Sequence, residues 1–343
     1  MSLKRCTKCI LSENFPRISF DEHGVCNFCT DSLLYTTENE EIEKAKLEIV
    51  RMFDEKRGKH EYDAVVCYSG GKDSTYTLKL AVEKYKLKVL SFTLDNGFIS
   101  PVAFDNIQKV VSKLGIDQIT FRPSYGFMTG LYRFSSIDNI YNPRVLTRIS
   151  ANCNSCISIV NNLALKYALE KDIPFILAGF TLGQIPANTI FYKNNYTFFK
   201  ESREPILKKF REKFGPDVSR YMEISERLLK NTNDFPYNIN LMAVEDITEN
   251  EIVEKILPLG WLKPKDVDGC STNCRINSFN NFVHKQRYGY SPYELELSHL
   301  IRKGLLSREE AIEKLDDQPQ DQIDLAFKEL NISPSHDFRL APK

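Results

Sequence analysis

The hexapeptide Ser69-Gly70-Gly71-Lys72-Asp73-Ser74 directly follows a short apolar run, residues 64–68. Two adjacent glycines let the backbone approach an anion closely and adopt dihedral angles that other residues avoid. The residues that follow have helical periodicity as far as Tyr85. Because a helix N-terminus presents unpaired N–H groups and the positive end of a dipole, this order of strand, turn and helix predicts a phosphate-binding loop.

The polar residues of the loop indicate what it binds. Lys72 adds a mobile cation, and Ser69 and Ser74 add hydroxyl donors. The carboxylate of Asp73 would repel a phosphate, so we expect it to hold a Mg²⁺ ion or to orient the loop. The loop is not a Walker A motif, because Asp73 follows the lysine where that motif has serine or threonine.

Strands and helices alternate around the loop. Short apolar runs separated by amphipathic segments predict an α/β protein with a doubly wound parallel sheet, whose functional residues lie at the carboxyl ends of the strands. The predicted strands are 64–68, 87–94, 118–122 and 174–178, and the predicted helices between them are 73–85, 101–114 and 157–170.

Beyond residue 195 the pattern is mainly helical, with one further predicted strand at 240–244. The last, polar residues are expected to form a trailing tail. Predicted helices in this part are 249–257, 277–288, 292–302 and 307–315. The domain boundaries that we predict are 1–35 for a zinc-ribbon module, 36–60 for a connecting helix, 61–195 for the nucleotide-binding domain and 196–343 for a mainly helical part that contributes to substrate binding.

Four of the nine cysteines form two C-x-x-C pairs near the N-terminus. Disulfides are disfavoured inside cells, so cysteines in an intracellular chain favour metal binding or catalysis. Two such pairs supply the four thiolates of a structural zinc site and leave no open position for a substrate. The predicted zinc ligands are Cys6, Cys9, Cys26 and Cys29.

A second set of cysteines lies downstream. Cys153 and Cys156 begin a predicted helix, where the helix N-terminus lowers the pKa of a thiol, and Cys270 and Cys274 lie in a polar loop. Three of these thiolates would suit an iron–sulfur cluster with one open iron, a pair could carry a persulfide, and all four would make a second zinc site. The spacing leaves these alternatives open.

The loop matches, residue for residue, the S-G-G-x-D-S signature of the PP-loop ATP pyrophosphatases, a HUP-like fold. The resemblance implies that the loop holds the pyrophosphate of ATP while AMP passes to a substrate oxygen, with Mg²⁺ as cofactor. By the same resemblance, catalytic roles fall to Lys72, Asp73, Cys153, Cys156 and Cys274. The nucleotide contacts that it implies are residues 69–74 together with Phe92, Thr93, Asp95 and Gly179.

Two branches of this superfamily are similar to different parts of the chain. The downstream cysteines resemble those of the tRNA thiolases, which implies exchange of the activated oxygen for sulfur and a [4Fe-4S] cluster. The segment from Arg5 to Cys29 resembles the N-terminus of N-acetyl sugar amidotransferases, which implies exchange for nitrogen. We predict a sulfurtransferase, with an ammonia-dependent amidotransferase as the alternative.

The charge balance bears on partners and location. Lys plus Arg and Asp plus Glu number 46 each, which favours a small-molecule or sugar acceptor over tRNA. No apolar stretch has the length to span a bilayer and the N-terminus lacks a signal-peptide core, so we expect a cytoplasmic protein without a membrane partner. A donor protein for sulfur or ammonia and a homodimer are compatible with these features.

Overall fold

The structure is a computed structural model, which describes residues 3–339 except for the side chains of residues 32–35, 198 and 202. It contains one six-stranded sheet of order β3-β2-β1-β4-β6-β5, in which only β5 is antiparallel to its neighbour. The doubly wound α/β fold predicted from the sequence is therefore confirmed. The strands are β1 (Ala64–Cys67), β2 (Val89–Leu94), β3 (Asp117–Phe121), β4 (Phe175–Ala178), β5 (Phe191–Lys193) and β6 (Tyr237–Asn240).

Helices cover both faces of the sheet and form most of the chain after β6. In chain order the α-helices are α1 (Asn27–Thr30), α2 (Ser32–Lys56), α3 (Lys72–Lys79), α4 (Pro101–Leu114), α5 (Tyr125–Ile137), α6 (Pro143–Leu146), α7 (Ala151–Glu170), α8 (Tyr196–Phe214), α9 (Asp217–Met222), α10 (Glu226–Lys230), α11 (Glu249–Ile256), α12 (Asn277–Tyr288), α13 (Glu294–Arg302), α14 (Arg308–Asp316) and α15 (Gln320–Glu329). A π-helical turn, Leu80–Lys84, extends α3, and short 3₁₀ turns lie at Ala187–Thr189, Leu241–Val244 and Leu257–Leu259. None of the described helices is long and apolar enough to cross a membrane.

The central strands are apolar on both faces because each face is covered. Val65 of β1 belongs to the core shared with α5 and α7, whereas its neighbour Val66 belongs to the core shared with α2 and α3. All six residues of β2 are buried. Near-continuous apolar strands are typical of a parallel sheet between two helical layers, and this arrangement exposes only the strand ends for function.

Two predictions for the later part of the chain were wrong. The strand predicted at 240–244 lies instead at Tyr237–Asn240, and residues 241–244 form a buried 3₁₀ turn. A short apolar run does not distinguish a buried strand from a buried helical turn. The predicted trailing tail contains α15, whose Phe327 ring lies 5.2 Å from that of Phe279 in α12. Its apolar residues are too sparse among polar ones to stand out in the sequence.

The N-terminal module docks onto α13 and α14. The buried carboxylate of Glu294 accepts a hydrogen bond from the Ser12 backbone N–H at 2.9 Å and pairs with the Arg5 guanidinium at 3.2 Å. The Arg308 guanidinium donates to the Cys9 carbonyl at 3.0 Å. Since these contacts join the start of the chain to its last third, they fix the module on the body of the protein.

Removal of the Glu294 carboxylate should loosen this docking. Glu294→Ala leaves the Arg5 charge and the Ser12 N–H without their partner, and loss of one member of a buried pair costs about 3 kcal/mol. We expect urea denaturation to show this loss of unfolding free energy, and limited proteolysis to cut near the N-terminus. Glu254→Ala, on the exposed face of α11, is the control. Equal stability of the two variants would contradict the docking role.

Candidate functional site

The predicted phosphate-binding loop, residues 69–74, lies between β1 and α3 at the carboxyl edge of the sheet. Gly70 has a φ of +77°, and a Cβ atom there would lie 2.3 Å from the backbone oxygen of Ala103 in α4. Both the dihedral angle and the space therefore require glycine at this position. Gly71 precedes α3, whose first residue is Lys72, so the loop ends at a helix N-terminus as the sequence predicted.

Side chains from distant segments hold the loop backbone. The Trp261 indole N–H donates to the Gly70 carbonyl at 2.9 Å. The Thr93 hydroxyl donates to the Tyr68 carbonyl at 2.6 Å. Thr93, predicted from the family resemblance as a nucleotide contact, is thus directed at the loop backbone and is almost fully buried. These bonds keep the loop in one conformation before any ligand binds.

The charged and hydroxyl side chains of the loop contact one another. The Ser69 and Ser74 hydroxyl oxygens lie 3.0 Å apart, and the Lys72 ammonium contacts the Asp73 carboxylate at 2.7 Å. Burial lowers the pKa of Lys72, but the carboxylates of Asp73 and Glu249 outweigh it and hold the pKa above its ordinary value. Lys72 is therefore a permanent cation at the start of α3.

One cavity, here called the loop cavity, begins at this loop. Two residues predicted as nucleotide contacts on the basis of the family resemblance, Phe92 and Gly179, line it together with loop residues. A Cβ atom on Gly179 would lie 3.1 Å from the Asp73 carbonyl, so this close approach favours glycine. Asp95 lies outside the loop cavity, where it forms an ion pair with Arg122 and accepts from the Gly97 N–H at 3.0 Å.

Three of the downstream cysteines line the same loop cavity, as does Cys67 of β1. Cys153 and Cys156 lie one turn apart near the start of α7, and Cys274 faces them. The Asn96 amide N–H group lies 3.6 Å from the Cys274 sulfur and 3.8 Å from the Cys156 sulfur, and so it links the two. The phosphate loop and these three thiols, here called the cysteine trio, therefore share one cavity.

Backbone pairing brings Cys274 to this position. The Ser100 N–H donates to the Asn273 carbonyl at 2.8 Å, and the Arg275 N–H donates to the Phe98 carbonyl at 2.9 Å. The segment before α12 thereby pairs antiparallel with the residues that follow β2. The spacing of the cysteines in the sequence did not predict this pairing. The pairing nevertheless decides which late cysteine lies beside α7.

Cys270 lies apart from the trio. Its sulfur lies 3.4 Å from the Lys314 carbonyl, and it lines a second cavity together with Lys72 and Glu296 rather than the loop cavity. Tyr293 borders both cavities, and its hydroxyl donates to the Asn277 side chain at 3.1 Å. The structure thus brings together three of the four downstream cysteines.

The expectation that the helix N-terminus lowers the thiol pKa values was wrong. Burial raises the pKa of Cys153 to about 11 and that of Cys274 to about 12, and it also raises the pKa of Cys156. The helix N-terminus is too weak to offset the burial of a charge in a protein interior. The trio would therefore be protonated without a metal, and binding a metal would release protons.

The two cysteine sets differ in the spacing of their sulfur atoms. At the N-terminus the Cys9–Cys26 and Cys6–Cys29 sulfur pairs are 3.7 Å and 4.0 Å apart, and all four atoms lie within 4.8 Å of one another. Tetrahedral Zn–S bonds of about 2.3 Å place sulfur atoms about 3.8 Å apart, so this cluster fits one zinc ion. In residues 3–339, no other group of three or more candidate ligands is as close.

Glu296 is a site residue that the sequence patterns did not indicate. It lies on α13, borders the second cavity with Lys72 and Asp73, and accepts a hydrogen bond from the Thr181 hydroxyl at 2.9 Å. Burial, followed by repulsion from Asp73, raises the pKa of Glu296 to about 7. Helix α13 is distant in sequence from the loop, so only the folded structure shows that Glu296 lies near Lys72 and Asp73.

A third, larger cavity adjoins the loop cavity at Cys153, Phe180 and Tyr293. It has a volume of about 800 Å³. Its charged lining residues are Arg144, Arg148 and Lys193, and no carboxylate lines it within the described part of the chain. We call it the basic cavity. The charged groups that line it are all positive, whereas the lining of the second cavity includes five carboxylates, those of Asp73, Glu245, Asp246, Glu249 and Glu296.

Comparison with known proteins gives distant similarities. No family model matches the chain. An uncharacterized protein of Methanocaldococcus jannaschii is 23% identical over 314 residues, which cover 91% of this chain and 93% of that protein. The U34-tRNA thiolase NcsA from Methanococcus maripaludis with its [4Fe-4S] cluster is 17% identical, with a TM-score of 0.34 and coverage of 89% of this chain and 88% of that one. For NMN synthetase from Francisella tularensis the identity is 11%, the TM-score 0.37, and the coverage 87% of this chain and 98% of that one.

Glu296 gives a testable pH dependence of stability. A carboxyl whose folded-state pKa is raised from 4.5 to about 7 binds its proton more tightly in the folded chain. It therefore removes stability as the pH rises through that window. Glu296→Gln should raise the melting temperature relative to wild type at pH 8 more than at pH 5, by on the order of 2 °C.

Glu309→Gln, at an exposed position on α14, is the matched control and should shift the melting temperature alike at both pH values. If the difference between Glu296→Gln and wild type is the same at pH 5 and pH 8, the Glu296 carboxyl does not titrate in this window.

Proposed function

We propose that this chain is an ATP-dependent transferase that adenylates a substrate oxygen, releases pyrophosphate and replaces the activated oxygen with sulfur. The observation that carries the proposal is that four loop residues, Ser69, Gly71, Asp73 and Ser74, line one cavity with the cysteine trio, while Lys72 and Cys270 line the adjacent second cavity. An adenylate formed at the loop would then lie close to the point where the incoming atom arrives, as an exchange reaction requires.

The first half of the reaction uses the loop. A substrate oxygen attacks the α-phosphorus of ATP, the bond between the α-phosphorus and the bridging oxygen breaks, and pyrophosphate leaves with the electron pair. Lys72 and the N-terminus of α3 stabilise the charge that develops on the departing pyrophosphate. We assign Asp73 to a Mg²⁺ ion bound with the phosphates, because carboxylate and phosphate oxygens are its preferred ligands.

The second half uses the cysteine trio. The three sulfur atoms of the trio are not as close together as the four of the N-terminal cluster, so they fit an iron–sulfur cluster better than a single zinc ion. Cys270 lies outside the loop cavity and is not available as the fourth ligand of a closed zinc site. A cluster held by Cys153, Cys156 and Cys274 would bind the incoming sulfide, which a separate sulfur donor would have to supply in each turnover. The sulfide displaces AMP, which leaves with the original substrate oxygen. The chain itself orients the adenylate and excludes water.

The N-terminal cluster of Cys6, Cys9, Cys26 and Cys29 is assigned to a structural zinc ion. It is buried, lies on α13 and α14, and has four ligands, so no coordination position remains for chemistry. Its contribution is to hold the N-terminal module in shape, and through Glu294 to hold α13 in place.

The basic cavity is the proposed acceptor site. Its volume suits a small molecule, and it meets the loop cavity beside Cys153. Lys193 is paired with Asp234 at 2.7 Å, so Arg144 and Arg148 are the cations of this cavity that favour an acceptor with a negative group. A low-molecular-weight acceptor is favoured over tRNA because the chain has no excess of basic residues. Ammonia as the incoming nucleophile would use the same adenylate, and the resemblance of the N-terminus to sugar amidotransferases makes this the alternative reaction.

Nucleotide use is tested by product analysis. Purified protein with ATP, Mg²⁺ and the ultrafiltered small-molecule fraction of a cell extract should form AMP and pyrophosphate. Lys72→Ala and Asp73→Ala should each lower pyrophosphate release by about a hundredfold or more, because they remove groups that meet transition-state charge. Lys79→Ala, at the other end of α3, should leave it unchanged. Formation of ADP and phosphate would rule out the proposed reaction.

The metal sites are tested by anaerobic purification with iron, sulfide and zinc analysis. We expect a brown protein with one zinc per chain. Cys153→Ala and Cys274→Ala should lose iron and colour, whereas Cys270→Ala should keep both because its sulfur lies outside the loop cavity. Cys9→Ser should lose zinc and melt at a lower temperature. A colourless protein with two tightly bound zinc ions would refute sulfur transfer and favour the amidotransferase.

A further inference from the structure

Thr272 contacts the phosphate loop from a segment two hundred residues away in sequence. Its hydroxyl oxygen accepts a hydrogen bond from the Lys72 backbone N–H at 3.0 Å. A Cβ atom on Gly71 would lie 2.9 Å from this oxygen and 3.3 Å from the Asn273 side-chain oxygen. The polar segment Ser271 to Asn273 therefore forms a wall opposite the loop, at the first turn of α3.

The hydroxyl proton of Thr272 is available for a hydrogen bond to a ligand. The oxygen accepts from Lys72, and none of residues 3–339 accepts a hydrogen bond from it. Thr272 lines both the loop cavity and the second cavity, beside Lys72 and Asp73. On the side of the loop cavity, Thr272 adjoins Ser69, Gly71 and Ser74 at the N-terminus of α3. A hydroxyl that is fixed by one accepted bond and can still donate suits an anion there.

The segment that carries Thr272 is held on both sides. The Ser271 hydroxyl accepts from the Cys274 N–H at 3.1 Å, which closes the turn. The Ser100 N–H donates to the Asn273 carbonyl at 2.8 Å, which attaches the turn to the residues after β2. The hydroxyl is therefore positioned in advance and need not be ordered when a ligand arrives, which favours binding.

We infer that Thr272 is a pyrophosphate-binding residue, whose hydroxyl donates to a phosphate oxygen held by the loop. The inference rests on the proposed function and adds to it a ligand outside the S-G-G-K-D-S motif. Cys274 follows Thr272 by two residues in the same braced turn. One short segment therefore contacts the leaving pyrophosphate and supplies a member of the cysteine trio, which fixes the distance between the two reacting centres.

Ligand binding to Thr272 variants tests the inference without any acceptor. The chain has a single tryptophan, and its indole N–H is bonded to the Gly70 carbonyl, so Trp261 fluorescence reports on the loop. The probes are inorganic pyrophosphate, α,β-methylene-ATP and AMP, each with Mg²⁺. Thr272→Val keeps the shape and removes the hydroxyl. We expect it to weaken pyrophosphate and α,β-methylene-ATP binding about tenfold or more, as loss of a hydrogen bond to a charged group does.

AMP binding by Thr272→Val should stay within about twofold of wild type, and Thr272→Ser should bind pyrophosphate like wild type because the hydroxyl is kept. Melting temperatures and iron content check that the variants are folded and that the trio is intact. If Thr272→Val binds pyrophosphate like wild type, or loses pyrophosphate and AMP equally, Thr272 only supports the loop and the inference fails. If wild-type protein binds neither pyrophosphate nor α,β-methylene-ATP, the proposed function fails as well.

Discussion

Two backbone hydrogen bonds, from Ser100 to the Asn273 carbonyl and from Arg275 to the Phe98 carbonyl, determine the composition of the candidate site. They attach a late turn of the chain to the carboxyl end of β2. As a result Cys274 faces Cys153 and Cys156, Thr272 contacts Lys72, and Cys270 remains on the other side of Tyr293. Without this pairing, no cysteine of the late pair would lie in the loop cavity.

A second constraint is the position of α13, which contacts the N-terminal module and also borders the second cavity. Its first residue, Glu294, holds the N-terminal module through Arg5 and Ser12, and Glu296, two residues later, borders the cavity of Lys72 and Asp73. Residues two apart on a helix point in different directions, so one helix serves both contacts. The N-terminal module, which carries the four-cysteine cluster, therefore contacts the same helix that forms a wall of the second cavity.

The sequence predicted those features that depend on neighbours along the chain. The loop, the strands around it and the N-terminal cysteine cluster have local patterns: glycines beside a helix start, continuous apolar runs, and paired C-x-x-C spacings. The position of β6 was missed because the apolar run lies in the 3₁₀ turn at 241–244, whereas β6 itself contains two asparagines.

The features that were missed depend on distant contacts. The separation of Cys270 from Cys274 arises from a turn that pairs with residues after β2, and spacing alone treats the two cysteines alike. The raised thiol pKa values depend on burial by the whole fold, which no local pattern reports. Glu296 and Thr272 reach the site from segments more than a hundred residues beyond the loop.

We propose that nucleotide phosphates and a three-cysteine metal centre share one cavity. Anomalous diffraction at the iron and zinc absorption edges, from crystals grown anaerobically with α,β-methylene-ATP, tests it most directly. We expect an iron peak bonded to Cys153, Cys156 and Cys274, a zinc peak at the four N-terminal cysteines, and phosphates at residues 69–74. A zinc peak that includes Cys270 as a ligand, or a nucleotide bound away from the loop, would contradict it.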